Sequence, residues 1–272
     1  MSVPEAIQSA ECLERTVEVQ GIATHLFEAG NPAAHPLLYL HGMLDGNQWL
    51  DYHKEMARHF HVFVPDIPGF GLTARPNWMR DISDYVFYVR DLLDALGLEK
   101  PFIVGHSIGG WIAAEIAAWY PDRVSKLVLT GALGLRIKET PMPDIFAMSP
   151  EEIIGTSFAN PMAALPLMPS EISVEYMFAQ YKQLTTLASL LWNPGYDPKL
   201  ARRLARVQCP TLLLWGEHDR LIASAYGELY QTLIADSSLE KLAGAGHMPM
   251  FEQPEAWSSA ISQFLNQEGG NA

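Results

Sequence analysis

A serine hydroxyl attacks a carbonyl only when a base removes its proton and preset donors receive the developing negative charge. The segment Phe102-Ile103-Val104-Gly105-His106-Ser107-Ile108-Gly109-Gly110-Trp111 is an apolar run that leads into Gly-x-Ser-x-Gly and then into a helical period. That is the setting of a nucleophile elbow, a sharp strand-to-helix turn that presents Ser107, with Gly105 and Gly109 leaving room for strand and helix to approach. An acid and a base follow in the chain order this architecture requires. Asp219 stands in Trp215-Gly216-Glu217-His218-Asp219-Arg220, and His247 in Gly244-Ala245-Gly246-His247-Met248-Pro249. Glu217 is the rival acid, and His218 stands too close to the acid to serve as the base. The expected oxyanion donors are two backbone N–H groups. One belongs to Ile108, directly after the nucleophile; the other belongs to Met43, where the run ending at Leu40 turns through His41-Gly42.

These residues must be brought together by strand ends. Two alternating stretches, Thr16 to Gln20 and Ile22 to Glu28, flank Gly21 and predict an antiparallel hairpin. From Pro36 onward, short apolar runs at 37–40, 62–64, 102–104, 126–129 and 211–215 have the continuous hydrophobicity of strands buried on both faces. Helical periods lie between them, notably Ile82 to Leu96 and Gly110 to Trp119. Further helices are expected near 198–207, 222–234 and 254–265, with a short strand at 238–242 and fraying from Gly269 to Ala272. The alternation predicts an α/β fold with a mostly parallel sheet and helices on both faces.

The alternation breaks once. Residues 135–194 carry helix-like patches and Met142, Met148, Met162, Met168 and Met177, five of the eleven methionines. A structureless loop of that length is improbable inside a compact domain, so a helical lid is expected there, inserted between core segments 1–134 and 195–272. Methionine suits an adaptable apolar pocket, and the expected substrate contacts are Trp49, Met148, Met177, Trp192 and Met248.

Composition narrows the partners. The 272 residues hold 18 Lys plus Arg against 31 Asp plus Glu, a net charge of −13 that repels polyphosphates and anionic lipid headgroups. Neither nucleic acid nor a membrane is expected. A 49% hydrophobic content supplies a sizeable core, and Cys12 and Cys209 form no metal or redox spacing. Met1 to Glu14 has no basic, apolar leader pattern, so a cytoplasmic location is expected. Nothing in the composition decides the oligomeric state.

On these motifs the sequence resembles the α/β-hydrolase superfamily, in its lidded serine-hydrolase branch of carboxylesterases, lactonases, haloperoxidases and C–C bond hydrolases. Asp66-Ile67-Pro68-Gly69-Phe70-Gly71, Tyr120-Pro121-Asp122-Arg123-Val124 and Glu252-Gln253-Pro254 add to the likeness. The resemblance implies an eight-stranded sheet, a lid after the sixth strand, a triad of Ser107, Asp219 and His247, and no metal or organic cofactor. Branches that place aspartate at the elbow are excluded by Ser107. The C–C hydrolases of aromatic ring-fission products typically carry asparagine before the serine, tryptophan after the histidine and a lid arginine. Here those positions are His106 and Met248, and no arginine lies between Arg136 and Arg202.

The expected activity is therefore hydrolysis of carboxylic esters of small to medium hydrophobic substrates through an acyl-enzyme. The alternatives are C–C bond hydrolysis of a β-dicarbonyl, meta-cleavage-type substrate, or lactone opening. A reading from another class is a hydrolase-like receptor that binds a small ligand.

Overall fold

The computed structural model describes residues 12–169, 171–192 and 194–267. The expected fraying of Gly269 to Ala272 and most of the segment from Met1 to Glu14 lie outside the described residues. Strands β1 (Leu13–Val19) and β2 (Ile22–Ala29) form the expected hairpin, Val19 pairing with Ile22 across Gln20-Gly21. The remaining strands are β3 (Pro36–Leu40), β4 (His61–Pro65), β5 (Phe102–His106), β6 (Lys126–Thr130), β7 (Thr211–Gly216) and β8 (Ser237–Leu242). All eight form one sheet in the order β1-β2-β4-β3-β5-β6-β7-β8, with β2 antiparallel to both its neighbours and the other pairs parallel.

Two hydrophobic layers sit on the two faces of this sheet, and the period-2 alternation of each strand divides its side chains between them. Leu38, Leu40, Ile103, Leu127, Leu129 and Leu213 face one layer, completed by α2 (Ile82–Ala95), α3 (Ile108–Trp119) and α7 (Ser224–Leu233). Leu37, Tyr39, Val104, Val128, Leu212 and Leu214 face the other, completed by α1 (Asp51–Ala57), α8 (Pro249–Glu252) and α9 (Pro254–Asn266). Because β3 and β5 to β7 are covered on both faces, they need the unbroken apolar runs seen in the sequence. Edge strand β8 instead alternates, with Ser238 and Glu240 exposed.

Between β6 and β7 lie α4 (Pro150–Ser157) and α5 (Val174–Leu191), with tight 3-10 turns at Ile145–Ala147 and Pro161–Leu167. A capping box starts α4: the Ser149 hydroxyl accepts from the Glu152 amide (3.2 Å) and the Glu152 carboxylate accepts from the Ser149 amide (2.8 Å). The Asp197 amide donates to the Gly134 carbonyl (2.9 Å), so the inserted segment leaves and rejoins the core at one place. Its middle and its two ends belong to different layers. Phe158 and Ala164 pack into the α1/α9 layer, whereas Ile145, Leu187, Leu190 and Leu191 pack into the α2/α3/α7 layer. The helix expected near 198–207 is instead a single α turn, α6 (Leu200–Arg203), tightening into a 3-10 turn at Leu204–Arg206.

Helices α1 and α8 have no counterpart in the sequence reading, because segments of 7 and 4 residues are too short to display a helical period. His53 in α1 is fully buried, and its Nδ1 accepts from the Leu50 amide (3.1 Å). Burial pushes its imidazole down to about 3, well below the ordinary histidine value. The unfolded chain therefore binds a proton at this site where the folded one does not. Stability from this group is fully present above the unfolded value of about 6.5 and is lost as pH falls towards 3. His53→Gln keeps an acceptor for the Leu50 amide and removes the titration. Urea unfolding at pH 7 and pH 4.5 is expected to show an acid loss of stability smaller by on the order of 1 to 3 kcal/mol in this variant. An unchanged difference between the two pH values would remove His53 as its source.

Candidate active site

The register of the central strands assembles the site. Leu40 at the end of β3 pairs with Gly105 of β5, and His106 pairs with Thr130 at the end of β6, so the turns that follow three strands open on the same edge of the sheet. Ligand sites of open α/β sheets occupy this carboxyl-end crevice. Ser107 occupies the β5–α3 turn at φ 55° and ψ −116°, a backbone conformation that L-residues adopt only when their surroundings enforce it. The enforcement is visible in its hydrogen bonds: the Ser107 amide donates to Thr130 O (3.0 Å), and its carbonyl accepts from Trp111 (3.1 Å) and Leu133 (3.1 Å). The flanking glycines are required by close approach. A Cβ at Gly105 would lie 2.6 Å from Gly109 O, and one at Gly109 would lie 2.1 Å from Leu40 O. The second contact is to β3, which draws the first turn of α3 against the His41-Gly42 segment.

The three side chains expected to meet do so. His247 Nε2 lies 3.0 Å from Ser107 Oγ, and His247 Nδ1 lies 2.8 Å from Asp219 Oδ2. Asp219 Oδ1 is occupied by the amides of Leu221 (2.9 Å) and Ile222 (2.7 Å), which aims the other oxygen at the histidine. A carboxylate cannot donate, so the proton sits on Nδ1 and leaves Nε2 to accept from the serine hydroxyl. Ser107, Asp219 and His247 are 7%, 6% and 2% exposed, an environment that strengthens these polar contacts. Glu217 and His218, the rivals, are exposed and face each other at 3.9 Å.

The expected oxyanion donors stand on the two turns that Gly109 brings together. Among the described residues, neither the Met43 nor the Ile108 amide donates to another main-chain group. The Met43 turn is braced by His41, whose Nδ1 donates to Gly42 O (2.6 Å) while its Nε2 accepts from the Ile67 amide (2.9 Å).

The expected substrate contacts are largely not gathered here. Met177 and Trp192 are 61% and 70% exposed, and Met162 and Met168 also face solvent, so the insert presents most of its methionines outward. The burial demand of α5 is met by Leu187, Leu190 and Leu191 further along the helix. Met248 is buried in the α1/α9 layer, and Trp49 stacks on His53 (ring centroids 5.4 Å apart, 28° between planes). Met148 lines a groove of about 330 Å³ between residues 145–153 and α5, where Ile145, Phe146, Ile153, Tyr181 and Leu184 join it. A larger cavity of about 530 Å³ lies between α1 and α9 and contains none of these residues.

Three residues to which sequence reasoning gave no role of their own support the site. Arg220 donates to Gly155 O and Phe158 O (both 2.6 Å), and Glu252 accepts from the amides of Gly246 (2.6 Å) and Asn160 (2.8 Å). With the His247 amide donating to Ser157 O (2.7 Å), these bonds latch the C-terminal end of α4 to the loops that carry Asp219 and His247. Gly131 follows β6 at φ +51°, and a Cβ there would lie 2.9 Å from His247 Nδ1 and Cε1. Gly131→Ala is expected to destabilise by about 1 to 2 kcal/mol through its left-handed backbone and to lower kcat about 10- to 100-fold by displacing the imidazole. Thermal unfolding and steady-state kinetics check this; activity within twofold of wild type would show that the ring tolerates the displacement.

Among the described residues, no helix is long and apolar enough to cross a membrane. Comparison with known proteins agrees with the fold. A 2-hydroxy-6-oxo-2,4-heptadienoate hydrolase of Pseudomonas putida is 28% identical, over 93% of this chain and 96% of its own. A human monoacylglycerol lipase is 26% identical, over 87% of this chain and 77% of its own. The crystal structure of a serine hydrolase involved in carbazole degradation, the CarC enzyme, superimposes with a TM-score of 0.76 at 25% identity, covering 94% of this chain and 99% of the other. C–C hydrolases recur among the relatives, which shifts the weight from the ester reading to the alternative weighed beside it. The sequence model described as the alpha/beta hydrolase family matches residues 37–260, and the chain belongs to that family.

Proposed function

We propose that this chain is a serine-dependent hydrolase that cleaves the C–C bond beside a carbonyl in a β-dicarbonyl-like or vinylogous substrate. The observation that carries the reading is the hydrogen-bonded line from Ser107 through His247 to Asp219. In this mechanism His247 Nε2 takes the Ser107 proton as Oγ adds to the carbonyl carbon, and Asp219 stabilises the imidazolium that results. The Met43 and Ile108 amides receive the oxyanion. As the tetrahedral adduct collapses, the electron pair of the breaking C–C bond leaves as an enolate, delocalised onto the second carbonyl, and the proton from His247 quenches it. Water, deprotonated by His247, then hydrolyses the acyl-enzyme. A carbon leaving group needs that second carbonyl as its electron sink. Residues 135–194 act as a lid, with the groove at Met148 taking the apolar part of the substrate.

The choice of bond is supported by relatives named for hydrolysing 2-hydroxy-6-oxo-dienoates and 2-hydroxymuconate semialdehyde. A specific observation favours a second reading, carboxylic ester hydrolysis. Between Arg136 and Arg202 there is no arginine to hold a substrate carboxylate, and the groove side chains are largely apolar.

Turnover of a 2-hydroxy-6-oxo-dienoate and of p-nitrophenyl esters from acetyl to dodecanoyl separates the two, with fluorophosphonate labelling followed by peptide mass. A kcat/KM for the dienoate at least about 100-fold above that for any ester is expected, a gap of roughly 2.7 kcal/mol in transition-state stabilisation. Ester turnover alone would overturn the choice of bond and keep the nucleophile. Absence of both turnovers and of a label on Ser107 would overturn the whole reading.

A further inference from the structure

Behind the serine lies a buried acid that the triad does not use. Asp45 is fully buried and makes four polar contacts, three of them hydrogen bonds that it accepts. Its Oδ1 accepts from the Gly42 amide (2.7 Å), and its Oδ2 accepts from the hydroxyls of Tyr39 (2.7 Å) and Tyr52 (3.0 Å). The fourth contact is His106, whose Nδ1 lies 3.5 Å from Oδ1. His106 is itself 1% exposed, and its Nε2 donates to the main-chain carbonyl of His247 (3.0 Å). The two imidazoles, of His106 and His247, lie with centroids 4.9 Å apart.

With Nε2–H committed to His247 O, the other ring nitrogen, Nδ1, is left facing the buried carboxylate of Asp45. Nδ1 has no hydrogen-bond partner, so attraction to Asp45 is its main polar compensation. Asp45 meets the complementary condition. Burial acts to raise its carboxyl, but His106, His41 and the Tyr39 hydroxyl outweigh burial and hold it below the ordinary carboxylate range. The titratable groups around the pair are His41, His53, Tyr39, Tyr52 and His247.

We propose that Asp45 and His106 are a pair of positioning residues that hold the oxyanion turn and the base loop in register. Asp45 fixes the Gly42 amide and hence the turn presenting Met43, while His106 fixes the backbone of His247. The contact between them ties one turn to the other, with His106 the residue directly before Ser107. Neither side chain touches substrate. The proposal rests on the reading of Ser107 as nucleophile, and its function follows from distance. The oxyanion amides act only if they meet the atom that the serine attacks, and a shift of about 1 Å can cost on the order of 100-fold in rate.

The test compares Asp45→Asn, His106→Gln and the double variant with wild type, using whichever substrate class the wild type turns over. Each single change is expected to lower kcat about 10- to 100-fold with KM within about threefold, because the transition state is affected more than substrate binding. The double variant is expected to be no worse than the poorer single, as for residues acting through one contact. The downfield proton resonance of His247 Nδ1–H against Asp219 is expected to broaden or move in both singles. Tyr52→Phe removes one bond to Asp45 with little change in packing and gives a smaller loss in the same direction, which keeps the test decisive if Asp45→Asn does not fold. Folded variants with wild-type kcat, or losses that multiply in the double variant, would overturn the pairing. A wild type without Ser107 labelling would instead overturn the nucleophile, so the two failures are distinct.

Discussion

In the Ser107→Ala variant, turnover is expected to fall by about 10⁵- to 10⁶-fold while the fold is retained. The hydroxyl is the only group removed. Ser107 is held by its own main chain, through Thr130 O, Trp111 N and Leu133 N, and none of these bonds depends on the side chain. Alanine can therefore occupy the same strained turn, and the unfolding temperature should change by no more than a few degrees. His247 keeps its bond to Asp219 and loses only the partner of Nε2. The residual rate should come from the Met43 and Ile108 amides and from substrate binding, which alone sustain about 10³- to 10⁴-fold over water in comparable sites. Single-turnover kinetics with a fluorophosphonate-labelling control measure this directly, and residual activity above about 1% of wild type would show that Ser107 is not the nucleophile.

Asp219→Asn is expected to lower kcat by about 10³- to 10⁴-fold, with substrate affinity nearly unchanged. The reason lies in how the carboxylate is held. Oδ1 accepts from the amides of Leu221 and Ile222, so an asparagine must place its carbonyl there and its NH₂ where Oδ2 now faces His247 Nδ1. The NH₂ donates, and Nδ1 then becomes the acceptor. The imidazole proton moves to Nε2, which can no longer accept from Ser107 Oγ. The variant thus keeps the geometry and inverts the tautomer. A crystal structure of the variant with the three side chains in place, together with the loss of kcat, is the expected pair of results. A loss smaller than tenfold would mean that Asp219 does not set the tautomer.

Much of this architecture is legible in the sequence. The runs that became β3 to β7 could be read because strands covered on both faces need continuous hydrophobicity, and β5, Ser107 and α3 because the elbow is a local motif. Asp219 and His247 were legible by their place after strand ends. The relative merit of Asp219 over Glu217 was harder, since both follow Gly216; burial against the Leu221 and Ile222 amides decides it. Helices α1 and α8 were too short to declare a period, and Gly131 showed no signal, because its demand comes from a histidine more than a hundred residues away.

The insert was legible as a break in alternation but not as a surface. Methionines at 162, 168 and 177 suggested a pocket, yet a composition does not say which side of a helix faces inward, and packing turned the leucines of α5 to the core instead. The same limit applies to Arg220, Glu252, Asp45 and His106, whose contacts connect loops distant in sequence. Sequence by itself determined the strands, the elbow and the residue types able to do nucleophilic chemistry, because hydrophobic period and backbone strain are written over a few neighbouring residues. Only the tertiary structure decided which carboxylate meets His247, which turns flank Ser107 and which apolar side chains are buried, because those depend on strand register and helix rotation set by contacts across the whole sheet.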